Sequence, residues 1–482
     1  MSAVRSSQTL RWKLGVQQSA LALVGLCLAC LVGLASALGS PLLLIGAATM
    51  LALVALMAVY FRPAVVLLVF LLPVLPIQFS SEIGQGLPIV TASRLLLMAG
   101  LLAGLLNVAL GRLSVRSSGI ELGIAVWLFA CLASLPASID ATTSRLRLMS
   151  ELIEYIGLFY LVFLAFDRRT YQIPLVALVL AGAVNAALGM ADTLFGFNPL
   201  RDLPGGREQL VSMGDIRLGL ARAQGTFQHP VFLAVSLAMV VPVAYGLYVT
   251  GHWVLRGIGL PILALLTAAL LLTLTRSAWL AAAGATLLVF VWLVRRYPRY
   301  WWHAYWVALA IAVATVFFHV QVGHLGSFVS DLTVTQSTRS SATTGYRFLL
   351  AKRGVEKAGD RPVTGYGLGT FGSVGIRGVY AGRVISLSSP DNHFLRVIIE
   401  TGYLGLAAFL AMLSVIAYRG LQTVARTPVF GDRLLAVSIL GSLAAFVLMN
   451  ASVSAYSIEQ TGFVFWIMTA LLLRLRVDPP SR

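Results

Sequence analysis

The side chains best equipped for chemistry are a few cations and one mixed cluster, and all of them stand beside long apolar runs. Arg276, in Thr275-Arg276-Ser277-Ala278-Trp279, closes one apolar run and opens the next, and is the one charge between Arg256 and Arg295. An arginine at membrane level is costly and usually functional. This one either snorkels to an interface or clamps an anion beside a cavity. Arg222 lies in Arg222-Ala223-Gln224-Gly225-Thr226-Phe227-Gln228-His229-Pro230, just ahead of another apolar run. A helix starting there offers free N–H groups and a positive dipole, which favour a phosphate. The plain alternative is a loop arginine paired with Asp215 or Glu208.

The mixed cluster reads Pro390-Asp391-Asn392-His393-Phe394-Leu395-Arg396, followed by Glu400-Thr401-Gly402-Tyr403-Leu404-Gly405. His393, Arg396 and Glu400 are spaced i, i+3 and i+7, so they share one face of a helix. Asp391 and His393 are two candidate proton acceptors for an incoming hydroxyl. Arg396 and Glu400 also suit a mutual ion pair, and Asp391 with Asn392 suits a helix N-cap. The remaining histidines (His229, His252, His303, His319 and His324) show no metal-ligand spacing. Cys27, Cys30 and Cys131 fall in apolar runs and read as inert buried thiols.

Such residues must be positioned by a membrane framework. Of 482 residues, 59% are hydrophobic and 11% charged, which excludes a soluble globular enzyme. The 44 glycines and 18 prolines follow no period, so a collagen-like chain is excluded as well. The net charge is +17, and of the 35 basic residues only Lys13, Lys352 and Lys357 are lysines. In a soluble chain this balance would point to nucleic acid; here membrane topology accounts for much of it, and no nucleic-acid partner is expected. The arginine bias is compatible with bidentate phosphate binding.

Apolar runs at roughly 19–38, 41–60, 64–79, 93–111, 119–137, 149–166, 173–195, 229–249, 255–275, 277–294, 303–320, 393–417, 434–453 and 458–474 predict an all-α polytopic protein of about fourteen transmembrane helices. With a cytoplasmic N-terminus, eighteen basic residues fall in inside segments, against Arg94, Arg145, Arg147 and Arg276 in short outside loops. The positive-inside rule then puts both termini in the cytoplasm. The expected organisation is N-terminal helices over 1–195, a first long outer loop over 196–228 and central helices over 229–320. A large outer loop over 321–392, partly helical, and C-terminal helices over 393–482 follow. Within the large loop, Tyr346–Ala358 mixes aromatic, aliphatic and basic residues at helical spacing and predicts a short amphipathic helix. Gly365-Tyr366-Gly367-Leu368-Gly369 predicts a tight turn, since no strand precedes it as a nucleotide loop would require.

Taken in order, Arg222–Pro230, Thr275–Trp279, Asp360–Phe371 and Asp391–Gly405 resemble the bacterial O-antigen ligase and polymerase superfamily, with a large outer loop between the motifs. The resemblance covers the second half of the chain; the first half shares only apolar helices. It implies a membrane glycosyltransferase of the glycosyltransferase C type, acting on undecaprenyl-diphosphate-linked glycan at the outer, periplasmic face of the inner membrane. It also implies that Arg222 and Arg276 hold the donor diphosphate, and that a histidine at the end of the large loop activates the acceptor hydroxyl. The family pattern there is His-Asn-any-aromatic-Leu. Asp391 occupies its histidine position and His393 lies two residues later, so the base is either a carboxylate here or a shifted His393. Arg347 and Asn392 are secondary candidates for touching phosphate or sugar.

A sugar diphosphate leaves without protonation if cations stabilise the departing charge, so a single base is enough. The expected reaction is inverting and independent of metal or other cofactor. The leading expectation is a polymerase of O-antigen or exopolysaccharide repeat units. Its sibling is a ligase that moves the glycan onto lipid A-core or another acceptor, and other polysaccharide-assembly proteins are possible partners. A transporter or flippase of the same lipid is the reading from another class. It would need polar groups near mid-membrane, for which Asn185 and Asp192 are the central pair.

Overall fold

The computed structural model describes residues 41–76, 80–81, 90–199, 216–217, 220–251, 255–302, 349, 351–380, 383–386 and 391–477. The apolar runs become helices: α1 (Pro41–Val59), α2 (Phe61–Leu71), α3 (Ala92–Ala109), α4 (Glu121–Ser134), α5 (Ala141–Ala165), α6 (Gln172–Phe195), α7 (Pro230–Thr250), α8 (Leu255–Leu272) and α9 (Arg276–Arg296). A short α10 over 351–358 follows, then α11 (His393–Arg426), α12 (Phe430–Asn450) and α13 (Glu459–Val477). The described strands are three two-residue-wide or short antiparallel pairs, Ser80–Ser81 with Val90–Thr91, Ile216–Arg217 with Leu220–Ala221, and Arg377–Tyr380 with Arg383–Ser386.

Among the described residues seven helices are long and apolar enough to cross a bilayer: α3, α5, α6, α7, α9, α11 and α12. The runs at 19–38 and 303–320 lie outside the described residues. The run at 64–79 folds differently from a separate straight span, because α1 and α2 meet at 115° and together make one broken span or re-entrant pair. The 119–137 run yields a helix of 14 residues, short of the roughly 20 that span a hydrocarbon core. The run at 149–166 begins earlier than expected, at Ala141. Asp140 caps that start by accepting from the Thr143 amide and hydroxyl. The same Thr143 contacts, the hydroxyl first, hold the Asp140 carboxyl below its usual range.

α13 is the axis of the core. Apart from Thr469, whose hydroxyl bonds Phe465 O, Phe463 to Leu473 are apolar, and all are almost wholly buried, as expected for a helix enclosed by others. It packs against α5, α7, α11 and α12. α7 is similarly enclosed, with Leu233 to Leu247 largely buried. Glycines let these axes approach: a Cβ on Gly462 would lie 2.5 Å from the Tyr155 ring.

α11 is 34 residues long and is broken at Gly402, where φ is 70° and ψ is −172°. The break leaves the carbonyls of Ile399 and Glu400 to be satisfied from elsewhere. The large loop supplies the donors: Tyr366 N–H bonds Ile399 O at 2.9 Å and Gly367 N–H bonds Glu400 O at 2.8 Å. In return, the Tyr403 amide bonds Pro362 O at 2.7 Å. Gly365, Gly367 and Gly369 all have positive φ. The Gly-rich stretch is therefore a strap across the helix break rather than a simple tight turn. α10 sits beside it with Gly354 and Ala358 inward, against Leu395 and Ile399. Most of its other residues are exposed. Lys357 bonds Asp360 at 2.9 Å and lies over the Tyr366 ring. That bond raises the Lys357 ammonium and, with the Tyr366 hydroxyl, holds the Asp360 carboxyl low.

The strap depends on Gly402, whose Cβ would collide with the Val363 carbonyl. A side chain at positive φ costs about 1–3 kcal/mol by itself, and the collision adds to it. Gly375 has the same φ of 70° with open space around it, so Gly375→Ala carries only the first cost. Gly402→Ala should lower the unfolding temperature in detergent well beyond Gly375→Ala and open residues 362–371 to protease. Equal small shifts for the two variants would contradict the strap.

Candidate active site

The structure gathers the site candidates into two groups. The first surrounds Arg222, which is buried at 4% exposure on the segment leading into α7. Its Nε donates to Thr273 O at 2.7 Å and its Nη2 to Thr275 Oγ1 at 2.8 Å. Both acceptors belong to the turn between α8 and α9, whose next residue is Arg276. The two arginines singled out from sequence are therefore brought onto one turn. Leu274 in that turn has φ 49°, the one non-glycine positive φ among the described residues. Strain of this kind persists where surroundings over-determine it and clusters at functional sites. Here the Arg222 bonds and the Ala223 N–H to Leu272 O bond hold the turn in place. Arg276 is exposed and is the first residue of α9, where the helix dipole is positive. Asp215 and Glu208, the alternative partners of Arg222, lie outside the described residues, as does Arg347.

The rest of the Arg222 motif is anchored by Asn185 of α6. Its Oδ1 accepts from the Thr226 amide and hydroxyl, and its Nδ2 donates to Pro73 O. Gly225, with φ 62°, must be glycine, because a Cβ there would lie 2.7 Å from the Asn185 carbonyl. Asn198 bridges Asp192 and Gly225 O. The polar pair that a transporter would require thus ties the Arg222 segment to α6. His229 caps α7 by accepting from the Val231 amide, with Pro230 opening the helix.

The second group lines a narrow cleft of about 10 Å³ formed by Trp127, Arg147, Glu151, Leu368, His393, Arg396, Val397, Glu400, Thr401 and Tyr456. His393 begins α11 and is buried. Its Nδ1 lies 2.9 Å from the Ser454 hydroxyl, and its Nε2 is buried without a hydrogen-bond partner. The Phe409 and Tyr456 rings flank it, with centroids 5.3 and 5.1 Å away. Asn392 is the N-cap of α11 and accepts from the amides of Phe394 and Leu395, while Asp391 precedes it, half-buried. Arg396 and Glu400 pair at 2.8 Å. The Glu400 carboxylate also accepts from the Gly369 and Phe371 amides of the strap.

Sequence reasoning missed Arg147, Glu151, Glu154 and Tyr456. Arg147, expected in a short outside loop, lies inside α5 and pairs with Glu151 at 3.2 Å. Glu151 also accepts from the Tyr456 hydroxyl at 3.0 Å and lies 3.5 Å from the Trp127 indole nitrogen. Glu151–Gly157 winds as a π-helix, a form that recurs at functional sites. One turn on, Glu154 pairs with Arg94, which also pairs with Glu459. Two glutamates inside an apolar run were the available signal. Among the described residues, no group of three or more His, Cys, Asp or Glu side chains is placed to hold a metal ion.

The cleft lining does not include Arg222 or Arg276. The two groups meet instead through the connection between α12 and α13. Tyr456 lines the cleft, Ser457 O accepts from Arg147, and Gln460 donates to Thr226 Oγ1 and to the Pro73 and Leu75 carbonyls.

Residues 261–410 match the family model of O-antigen ligase. That segment, about a third of the chain, is similar to the O-antigen ligase family. This agrees with the ligase and polymerase superfamily that its motifs resemble, and with a multi-pass membrane protein of the glycosyltransferase type. No curated protein matches the chain. The O-antigen ligase segment contains the Thr275–Trp279 turn, the strap and the His393–Gly405 helix start. Arg222, Arg147, Glu151 and Tyr456 come from outside it, so the rest of the chain completes both groups.

Glu151 is 2% exposed and Arg147 is its ionic neighbour. Removing one member of a buried pair costs about 3–5 kcal/mol, because the other charge is left uncompensated. Arg147→Ala should therefore destabilise the protein strongly, and adding Glu151→Gln should recover part of the loss. A thermal-stability double-mutant cycle checks this; additive losses would contradict the pairing.

Proposed function

We propose that the protein transfers glycan from undecaprenyl-diphosphate-linked donors at the periplasmic face of the inner membrane. Cytoplasmic termini, expected from the excess of basic residues in the inside segments, set this orientation. Arg276, steadied by Arg222 through Thr273 and Thr275, holds the donor diphosphate, and His393 receives the proton of the acceptor hydroxyl. The observation that carries the reading is the pairing of the Arg222–Arg276 turn with a buried, unpartnered His393 Nε2, joined through Tyr456–Gln460.

In the reaction the acceptor oxygen attacks the anomeric carbon and its proton passes to His393 Nε2. The bond from that carbon to the diphosphate oxygen breaks, and its electron pair leaves on the polyprenyl diphosphate. Developing negative charge at the diphosphate is stabilised by the guanidinium of Arg276 and the start of α9. A single displacement inverts the anomeric configuration. His393 is favoured over Asp391 as the base because it lines the cleft, with its Nδ1 oriented by Ser454 and its Nε2 left without a hydrogen-bond partner. Asn392 contributes by fixing the start of α11, and Arg347 remains a secondary contact for phosphate or sugar.

The acceptor is proposed to be the growing end of another lipid-linked glycan, which makes the protein a polymerase of repeat units. The second reading, a ligase acting on lipid A-core or another acceptor, is favoured by the family description of residues 261–410. Purified protein in nanodiscs with a polyprenyl-diphosphate oligosaccharide tests both. Wild type should release polyprenyl diphosphate. Arg276→Ala and His393→Ala should each lower release by about a hundredfold or more, and Asp391→Ala should have the smaller effect. A ladder of lengthening lipid-linked glycans identifies the polymerase, and release only with a separate acceptor identifies the ligase. Wild-type release by both Arg276→Ala and His393→Ala would overturn the proposed roles.

A further inference from the structure

At the far end of α11 from His393, a second pocket of about 340 Å³ is lined by Ser117, Ser118, Gly119, Arg419, Arg426 and Arg476. Arg419 and Arg426 are seven residues apart and so share one face of α11; Arg476 is in the last turn of α13. Elsewhere the arginines that knit the helices pair with carboxylates: Arg94 with Glu154 and Glu459, Arg147 with Glu151, Arg168 with Asp432, and Arg396 with Glu400. The three arginines of this pocket make no ion pair among the described residues. The nearby carboxylate, Glu121, is engaged by the Ser117 hydroxyl and by the Ser118 and Gly119 amides. Arg419 is held in place by its Nε bond to Gly119 O at 3.1 Å. Gly119, with φ 85°, brings the turn so close that a Cβ would lie 3.1 Å from the Arg476 guanidinium and 3.3 Å from that of Arg419.

Three like charges converging on one hollow repel each other unless an anion sits among them. Guanidinium groups bind phosphate oxygens bidentately, and basic pockets between membrane helices suit phosphate headgroups. We propose that this pocket binds the phosphate of an anionic membrane lipid on the side of the membrane opposite the His393 cleft. The lipid would tie the end of α11 to the end of α13 and to the turn before α4. This site is separate from the proposed transfer reaction and does not depend on it.

Native mass spectrometry of the full-length protein, with phosphatidylglycerol or cardiolipin against phosphatidylcholine, reads the site directly. Wild type should retain the anionic lipids preferentially. Arg426→Gln/Arg476→Gln should weaken that retention by roughly tenfold or more, while Arg295→Gln/Arg296→Gln, with the same loss of charge, should not. Arg419 is left intact because it also supports Gly119. Inorganic pyrophosphate supplies the second arm, read as a shift in unfolding temperature in lipid-free detergent. A shift in wild type that is absent in the pocket variant supports a phosphate site. If that shift occurs without any preference for anionic lipid, the lipid as its source is overturned. Equal lipid retention in both double variants, with no response to pyrophosphate, would overturn the site itself.

Discussion

The break in α11 at Gly402 is the constraint on which the rest of the cleft depends. A helix interrupted inside a membrane protein exposes carbonyls that hydrocarbon cannot satisfy. Here the Ile399 and Glu400 carbonyls are bonded by the amides of Tyr366 and Gly367. That exchange draws the large loop onto the helix and places Gly369 and Phe371 where the Glu400 carboxylate caps them. Glu400 in turn fixes Arg396, and the Ile139 amide bonds Tyr366 O, tying the strap to the turn before α5. Sequence, backbone conformation and site geometry are linked through this single irregular residue.

The second organising feature is the connection Ser454–Gln460. It touches His393 through Ser454, Glu151 through Tyr456, Arg147 through Ser457, Arg94 through Glu459 and Thr226 through Gln460. The His393 cleft and the Arg222–Arg276 turn are thereby held by one short stretch of chain. A displacement at either end would be felt at the other through bonds rather than through a flexible loop. This is how a fold of separate helices can keep the His393 cleft and the Arg222–Arg276 turn in fixed relation.

Much of this framework was legible in the sequence. Apolar runs located most of the described helices, and the Arg222, Thr275–Trp279 and Asp391–Gly405 motifs marked both groups. The shared face of His393, Arg396 and Glu400 emerged from spacing alone, and Arg396 with Glu400 forms the expected ion pair. What was not legible required tertiary contact. Arg222 reaches the Thr273–Thr275 turn across more than fifty residues, and no local pattern announces that pairing. Arg147 was lost to a misplaced helix start: hydropathy put the run at 149, whereas Asp140 caps α5 at Ala141. Tyr456 carries no local signal, since an aromatic residue beside an apolar run is ordinary. The sharp bend between α1 and α2 was hidden because both helices are strongly apolar.

In the proposed reaction the Thr275–Arg276 turn receives the donor diphosphate and the His393 cleft receives the acceptor. A cryo-electron-microscopy map of the full-length protein with undecaprenyl diphosphate bound would test it most directly. Phosphate density is expected against Arg276 and the first turn of α9, on the side reached from Tyr456–Gln460. Density in the His393 cleft against Arg147 and Arg396, with the Thr275–Arg276 turn left untouched, would contradict it.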